Sequence, residues 1–455
     1  MAGLNSILES AKRSLNANQY GIGVTSHNIA NAGVAGYSRQ RVMLSASQAE
    51  KTHYGFLGTG VDIKSIQRMR EKYFDKQSYA INANLGQASQ RQQVLSMTES
   101  LLQEPSDLGL SAQMSEFFNS FQNLATHPEE SSSRNAVVQR ASLMTNSFHR
   151  LSDGLTETKT NVSNELESKV EKINALLKST AELNSAIVNA SSQGLEPNDI
   201  KDQRDKNLSA LSSLINIRVS EDDNGSLSVA IDGTTVISNG NYQQLKTGIV
   251  ANSIVLTTLT SASPVNVTGG EAGGLMKLYN TTLNEYQTKL DELAQTLITQ
   301  VNNIHSAGYT LGDPAVTGID FFTGSDASSI SINAVIEQDI NNIAASADGA
   351  AGNNETAIAL SKLQNALTMN GNKNTVFQFY NGIVSGMGSE IQGLEQETQS
   401  QQLVLDQVNS QQNSVSGVSL DEEMTNLIKF QHGFDASARV INTVNEMFDT
   451  LLQMG

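Results

Sequence analysis

The chain has no cysteine and no tryptophan, and aromatic residues make up only 5% of it. No disulfide, thiolate metal site or cysteine nucleophile is therefore possible. With few aromatics and a hydrophobic content of 38%, slim bundles cored by Leu, Val, Ile and Ala are favoured over one large globular core. The 455 residues are enough for about three domains. Basic residues are also short, at 29 against 46 acidic ones, for a net charge of −17. Phosphate binding needs concentrated Lys and Arg, so no nucleic-acid partner is expected. No window approaches the ~20 apolar residues of a membrane span, so no membrane partner is expected. The opening "MAGLNSILESAKRSLNANQY" has no apolar h-region, so no cleaved secretory signal is expected. The protein then either stays inside or leaves by a signal-less route.

The charge shortage is uneven. Residues 1–76 carry ten basic and five acidic residues, leaving 19 and 41 for the rest. A functional reading has this basic opening meet acidic surfaces on neighbouring copies, and the alternative is a solvated face.

What is present is concentrated at the two ends. Leu4, Leu8, Ala11, Leu15, Asn18, Ile22, Thr25, Ile29 and Ala32 step by four and three, which makes a heptad seam. Its row Leu8-Leu15-Ile22-Ile29 is aliphatic, and the other row is small and partly polar. A second seam runs Leu420, Met424, Leu427, Gln431, Phe434, Ala438, Ile441, Asn445, Phe448 and Leu452. Ser419 suits an N-cap, and the acidic 421–423 complement the helix dipole. The two ends are expected to pair. A lone helix with so weak a seam does not hold in water. Residues 1–33 and about 420–455 are therefore expected to be disordered in the free monomer.

Between the ends the periodicity changes. Gly33 and Gly36 break the first helix, and "YSRQRVMLSA" and "GVDIKSIQRM" then read as two strands around a loop with Gly55, Gly58 and Gly60. From Tyr73 to Leu214 the pattern is helical, with breaks at 104–109, 127–132 and 194–199. From Ile215 it alternates with period two, with turns at Asn224-Gly225 and Asp232-Gly233. Helix returns at 275–305, a Gly/Asp/Ser region with short strands fills 307–350, and helices are expected at 353–370 and 374–416.

No reactive constellation is found. The six histidines (27, 53, 127, 149, 305 and 432) show no metal-ligand spacing. No phosphate loop, dinucleotide fingerprint or nucleophile elbow is present. "EDDNG" (221–225) reads as a hairpin turn rather than a calcium loop. "GIVSGMGSE" (382–390) reads as a break between helices or as glycines tolerated within one. His27, Asn28 and Asn31 read as a polar helix face, at the surface or a subunit contact. No catalytic, cofactor or metal residue is expected.

The seam ending in "SHNIANAGVAGYSRQ" resembles the signature of bacterial flagellar axial proteins, those of the rod, hook and junctions. "GYSRQ", residues 197–233, residues 269–309 and residues 416–453 are similar, in order, to the hook–filament junction group. The resemblance spans essentially the whole chain. Val34-Ala35 stands where Thr-Pro is usual in that group. Gly433 in "FQHGF" (430–434) should cost its helix about 0.5–1 kcal/mol relative to Ala.

The resemblance implies structural work. A ring of identical subunits would sit on the hook protein below and carry the second junction protein above, at an extracellular position on the flagellum. Export would use the flagellar type III route, and a cytoplasmic chaperone would bind the C-terminal segment. The expected fold is mainly α with a β insertion: paired terminal coiled-coil helices, an elongated helical bundle and a small β domain at the tip. The terminal domain would take 1–33 plus 420–455, the middle domain 34–215 plus 271–419, and the β insertion 216–270. The assembly seam would use Leu4, Leu8, Ala11, Leu15, Ile22, Ile29, Leu420, Met424, Leu427, Phe434, Ala438, Ile441, Phe448 and Leu452. Gly33, Gly36, Tyr37, Arg39 and Arg41 are the candidates for joint and subunit contacts, with the glycines as cap and turn. The alternatives are another axial protein, such as the second junction protein or a flagellin, or a secreted coiled-coil adhesin.

Overall fold

The computed structural model describes residues 2–52, 55–222 and 225–454. His53, and Asn224 of the expected turn, lie outside them. Helix α1 (Ala2–Asn31) leads into the ribbon β1 (Gln40–Ala46), β2 (Glu50–Thr52), β3 (Gly55–Leu57) and β4 (Val61–Arg68). Strand β1 pairs antiparallel with β4, and β2 with β3. Helices α2 (Lys72–Leu102), α3 (Leu110–Thr126), α4 (Ser131–Ser192) and α5 (Asn198–Leu214) follow, broken where the proline-bearing segments were expected to break them. Strands β5 (Arg218–Glu221), β6 (Leu227–Ile231), β7 (Thr234–Ser238) and β8 (Asn241–Tyr242) form one antiparallel sheet. Strands β9 (Leu245–Val250), β10 (Ser253–Thr258) and β11 (Ser261–Val265) form another.

Helices α6 (Gly270–Lys277) and α7 (Leu283–His305) are joined by a π-helical turn at Leu278–Thr282. The short β12 (Phe322–Thr323), β13 (Ser331–Ile332), α8 (Ala334–Gln338) and α9 (Glu355–Lys362) precede the long α10 (Val376–Ser416) and α11 (Leu420–Met454). The helix expected at 353–370 is shorter: α9 passes into a 3-10 turn at Leu363–Asn365, and Ala366 is already extended. The glycines of 382–390 lie inside α10.

Helix α4, at 62 residues, is a spine about 93 Å long at 1.5 Å per residue. At its start the buried Arg134 donates to the carbonyls of Pro128 and Ile343. Nearby, Phe117, Phe121, Phe321 and Phe322 stack with ring centroids 4.8–5.8 Å apart. Toward its end, Asn174 and Asn184 meet β9 and β6. The β insertion therefore flanks the C-terminal half of α4. The end remote from α1 and α11 is formed by α3, the start of α4 and residues 305–370, so β12 and β13 lie there and the strands β5–β11 of the insertion do not. One buried cluster joins Phe117 and Phe321 through Leu166 and Ile173 to Val229 and Leu256. The sheets and the helices thus share a core.

Strands are seated on helices by a repeated device. Asn174 donates Nδ2–H to the Leu245 carbonyl and accepts the Leu245 N–H, both at 2.8 Å. Asn184 does the same for Leu227, Asn280 for Ile254 and Asn302 for Phe322. Each amide supplies the donor and acceptor that a neighbouring strand would supply, so the buried backbone groups are satisfied. In α1, Asn28 clamps Gln40 of β1 in the same way.

His305 shows how the remote end is tied. It is fully buried; its Nδ1 lies 2.7 Å from the Ile319 carbonyl, and Nε2 accepts the Ala344 N–H at 2.9 Å. Burial pushes its pKa down to about 4, so the ring is neutral. The unfolded chain takes up this proton near pH 6.5 and the folded one only near 4. Stability is therefore full above about 6.5 and is lost as pH falls toward 4, by roughly 3 kcal/mol for this group. Denaturant midpoints of wild type and His305→Gln between pH 7 and 4 check this: the wild type should lose more. Parallel curves would refute it.

Candidate functional site: the terminal seam and the joint

Helices α1 and α11 pack along one another, and the residues at their contact explain how closely. On α1 the face turned to α11 steps Ala11, Ser14, Asn18, Gly21, Thr25. On α11 it steps Glu423, Leu427, Phe430, Phe434, Ser437, Ile441, Val444 and Phe448, all buried or half-buried. The Phe430 ring lies where a Cβ on Gly21 would stand, 2.7 Å away. A Cβ on Gly433 would come within 2.5 Å of Asn18. The Ser437 hydroxyl donates to that of Ser14 at 2.9 Å. Gly433, expected only as a helix cost, thus lets α11 lie close against Asn18 of α1.

The seam therefore differs from the apolar rows in the sequence. Leu427, Phe434, Ile441 and Phe448 lie on it, with Ala438 half-buried beside it. The second row is Glu423-Phe430-Ser437-Val444, however, and not Met424-Gln431-Ala438-Asn445-Leu452. Leu420 is exposed, Met424 is 49% exposed and Leu452 79%. Leu4, Leu8, Leu15, Ile22 and Ile29 are half-buried along the flank, and of the named α1 positions Ala11 and Thr25 are buried. The physical reason is that Glu423 and Ser437 enter the seam through polar contacts, which an apolar pattern does not register.

At the end of the seam the chain turns through the joint. Asn28, almost completely buried, is its centre. Its Oδ1 accepts the Gln40 N–H at 2.9 Å and the Tyr37 hydroxyl at 2.7 Å. Its Nδ2 donates to the Gln40 carbonyl and to Glu423 Oε2, both at 2.9 Å. Burial, reinforced by Asp199, Asp202 and Glu423, pushes the Tyr37 phenol far above its usual pKa, so it remains a donor. Asn28 was expected on a surface polar face, and instead it joins α1, β1 and α11.

Helix α5 supplies the opposite wall. Asp202 accepts from the N–H and hydroxyl of Ser38, at 3.0 and 2.7 Å, and from Arg68 at 2.6 Å. Asp205 takes Arg68 at 2.8 Å and Arg70 at 3.4 Å. Arg70 also pairs with Asp75, which accepts from Gln412 of α10. Although burial opposes its charge, Asp75 and Asp205 hold Arg70 more firmly protonated than usual. Arg204, almost completely buried, reaches Glu221 of β5 at 2.6 Å, and Lys72 reaches the same carboxylate. Burial would raise the Glu221 pKa, but Lys72 and Arg204 hold it below its usual value.

These contacts account within the chain for part of the charge of the basic opening. Arg13 pairs with Asp62, Arg39 with Glu422 and Glu423, Arg68 with Asp202 and Asp205, and Arg70 with Asp75, all inside one chain. Arg41 is exposed and carries no such pair. Gly36 takes φ +85°, the left-handed turn that glycine permits. Gly33 does not, and open space surrounds it, so it is not a left-handed cap. The joint residues that sequence reasoning missed are Gln40, Arg68, Arg70, Asp75, Asp202, Asp205 and Glu423. Gln40 in "GYSRQ" and Asp202 and Asp205 within residues 197–233 drew notice only through resemblance, and Glu423 only as a charge at a helix start.

A family model described as "Flagellar hook-associated protein FlgK helical domain" matches residues 95–322. A second, "Flagellar basal body rod FlgEFG protein C-terminal", matches residues 410–454. The chain is 32% identical to flagellar hook-associated protein 1 of Bacillus subtilis, over 98% of this chain and 97% of that one. To its counterpart in Salmonella typhimurium it is 25% identical, over 99% and 100%. The solved flagellar hook junction protein FlgK from Burkholderia pseudomallei shares the fold, with a TM-score of 0.65 at 16% identity, covering 75% of this chain and all of that one. Paired terminal helices that return to one joint, with the middle of the chain carried between them, define a structural subunit of the flagellar axis. Within that class the chain belongs to the flagellar hook-associated protein 1 family, and its place is the hook–filament junction of the flagellum.

Proposed function

We propose that the chain forms a ring of identical subunits on the hook protein, with the second junction protein and then the filament built above it. The paired α1 and α11 line the central channel, and the work is assembly, without catalysis. The observation that carries this reading is the seam: a close small-residue contact within the chain that leaves Leu420, Met424, Ile428, Met447 and Leu451 exposed beside it. Such surface is stabilised when neighbouring subunits cover it. The protein leaves the cell unfolded by type III export, and a cytoplasmic chaperone holds the C-terminal segment until then.

The seam residues named from the sequence serve in this reading as surfaces between copies as well as within one. In the free monomer, amide exchange over residues 1–33 and 420–455 is expected to be fast, and slow in the assembled ring. Strong protection of both termini in the monomer would count against it. A chain ending before Asn445 is expected to keep its middle folded and to fail in ring assembly. A strain lacking the protein should show hooks without filaments, with flagellin in the medium. Normal filaments on that strain would overturn the proposal.

A further inference from the structure

The ribbon β1–β4 and helix α11 carry surfaces of opposite kind that the chain itself leaves unused. On the ribbon, Arg41 and Met43 stand two apart and therefore on one face, with Gln67 opposite Arg41. Lys64 is exposed at the bulge between the strands, and Lys51, Phe56 and Leu57 are exposed on the inner hairpin. Phe56 is 77% exposed. Among the described residues, none of the cations Arg41, Lys51 and Lys64 has an ion pair. Glu50 is the exposed carboxylate among them. The other charges of the ribbon are engaged within the chain, Asp62 by Arg13 and Arg68 by Asp202 and Asp205.

Helix α11 presents the complement. Leu420, Met424 and Ile428 repeat every four residues, making an exposed apolar stripe outside the seam. At 100° per residue, Asp421, Asp435, Glu446 and Asp449 fall on that side of the helix. All four are exposed and unpaired among the described residues. Arg439 is the one basic residue on this face.

We propose that the outer surface of the β1–β4 ribbon docks on this acidic, apolar face of α11 in a second copy of the chain. The inference rests on the ring reading and says which two surfaces of neighbouring subunits meet. The contact is head-to-tail, because ribbon and helix are different surfaces, and repetition of such a contact gives a ring where the rotation between copies closes. Opposite charges steer the approach and fix the register, while Met43, Phe56 and Leu57 cover the apolar stripe. It also accounts for Arg41 and Lys64 remaining unpaired in a chain with a large acidic excess.

The test is charge exchange in the full-length protein, read as the amount of labelled protein capping isolated hook ends. Arg41→Glu with Lys64→Glu is expected to lower capping about tenfold, and so is Asp435→Lys with Glu446→Lys. Combining all four should restore it to within about threefold of wild type, a recovery that a merely misfolded variant does not give. If wild type caps hooks and the combined variant stays as poor as either parent, the pairing is overturned. It is equally overturned if both parents cap like wild type. If wild-type protein itself fails to cap, the ring reading falls, and this inference with it.

Discussion

Asn28→Leu is expected to lower the stability of the joint in assembled protein by about 3–5 kcal/mol while the remote phenylalanine cluster stays folded. Leucine has the same number and branching of side-chain heavy atoms as asparagine, so no cavity is left. The loss comes from the groups left behind: the N–H and C=O of Gln40, the Tyr37 hydroxyl and one oxygen of Glu423. Each unsatisfied buried group costs about 1–3 kcal/mol, and water reaching a loosened joint recovers part of that. Asn28→Asp should be no milder, since it keeps the acceptor but sets a second carboxylate against Glu423 and the Gln40 carbonyl. Amide exchange at Gln40, with a melt followed at both ends of the molecule, checks this. Unchanged exchange at Gln40 would show that the network is not cooperative.

Gly21→Leu is expected to separate the terminal helices. A leucine in a solvated helix would gain about 1 kcal/mol of helix propensity over glycine. Here the first carbon of the side chain would lie 2.7 Å from the Phe430 ring. Overpacking of that kind costs about 1–3 kcal/mol even after rearrangement. The clash outweighs the propensity, and the effect repeats in every subunit of an assembly. Gly23→Ala is the control, because nothing lies within 4 Å of its Cβ position; it should be neutral or mildly stabilising. Since the chain has no cysteine, Ser14→Cys with Ser437→Cys gives a clean readout. In assembled protein the two should form a disulfide readily, much less so with Gly21→Leu, and unchanged with Gly23→Ala. Equal cross-linking in all three would mean that Gly21 does not set the helix separation.

Local rules made most of the elements legible. Helix breaks fell where proline and capping residues stand, and the strands β1 and β4 followed the alternation around Val42 and Ile66. The pairing of the terminal helices followed from their four-three steps. The details of that contact did not, because two positions, Glu423 and Met424, compete for one row. Hydrophobicity selects methionine, whereas the fold selects the glutamate, whose charge Arg39 and Asn28 satisfy. The joint was hidden for a related reason. Asn28, Asp202, Gln412 and Glu423 come from four helices far apart in the sequence, and each looks like an ordinary surface residue beside its own neighbours. Their meaning is set by convergence, which no window of the chain contains. The placement of the sheets along α4 was hidden likewise, since it depends on single asparagines within otherwise ordinary heptads.

Those asparagines also impose an order in time. In four of the five clamps the asparagine precedes the strand it holds: Asn28 before Gln40, Asn174 before Leu245, Asn184 before Leu227 and Asn302 before Phe322. A chain made from its N-terminus therefore completes each of these sockets before the strand that fills it. A helix can wind locally and fast, whereas a strand needs a partner before it gains anything. The strand that emerges next finds its first two hydrogen bonds already waiting, and short strands that could add themselves to another molecule are claimed early. Only Ile254 must wait for an asparagine that comes after it, so β10 is locked only once Asn280 has been added.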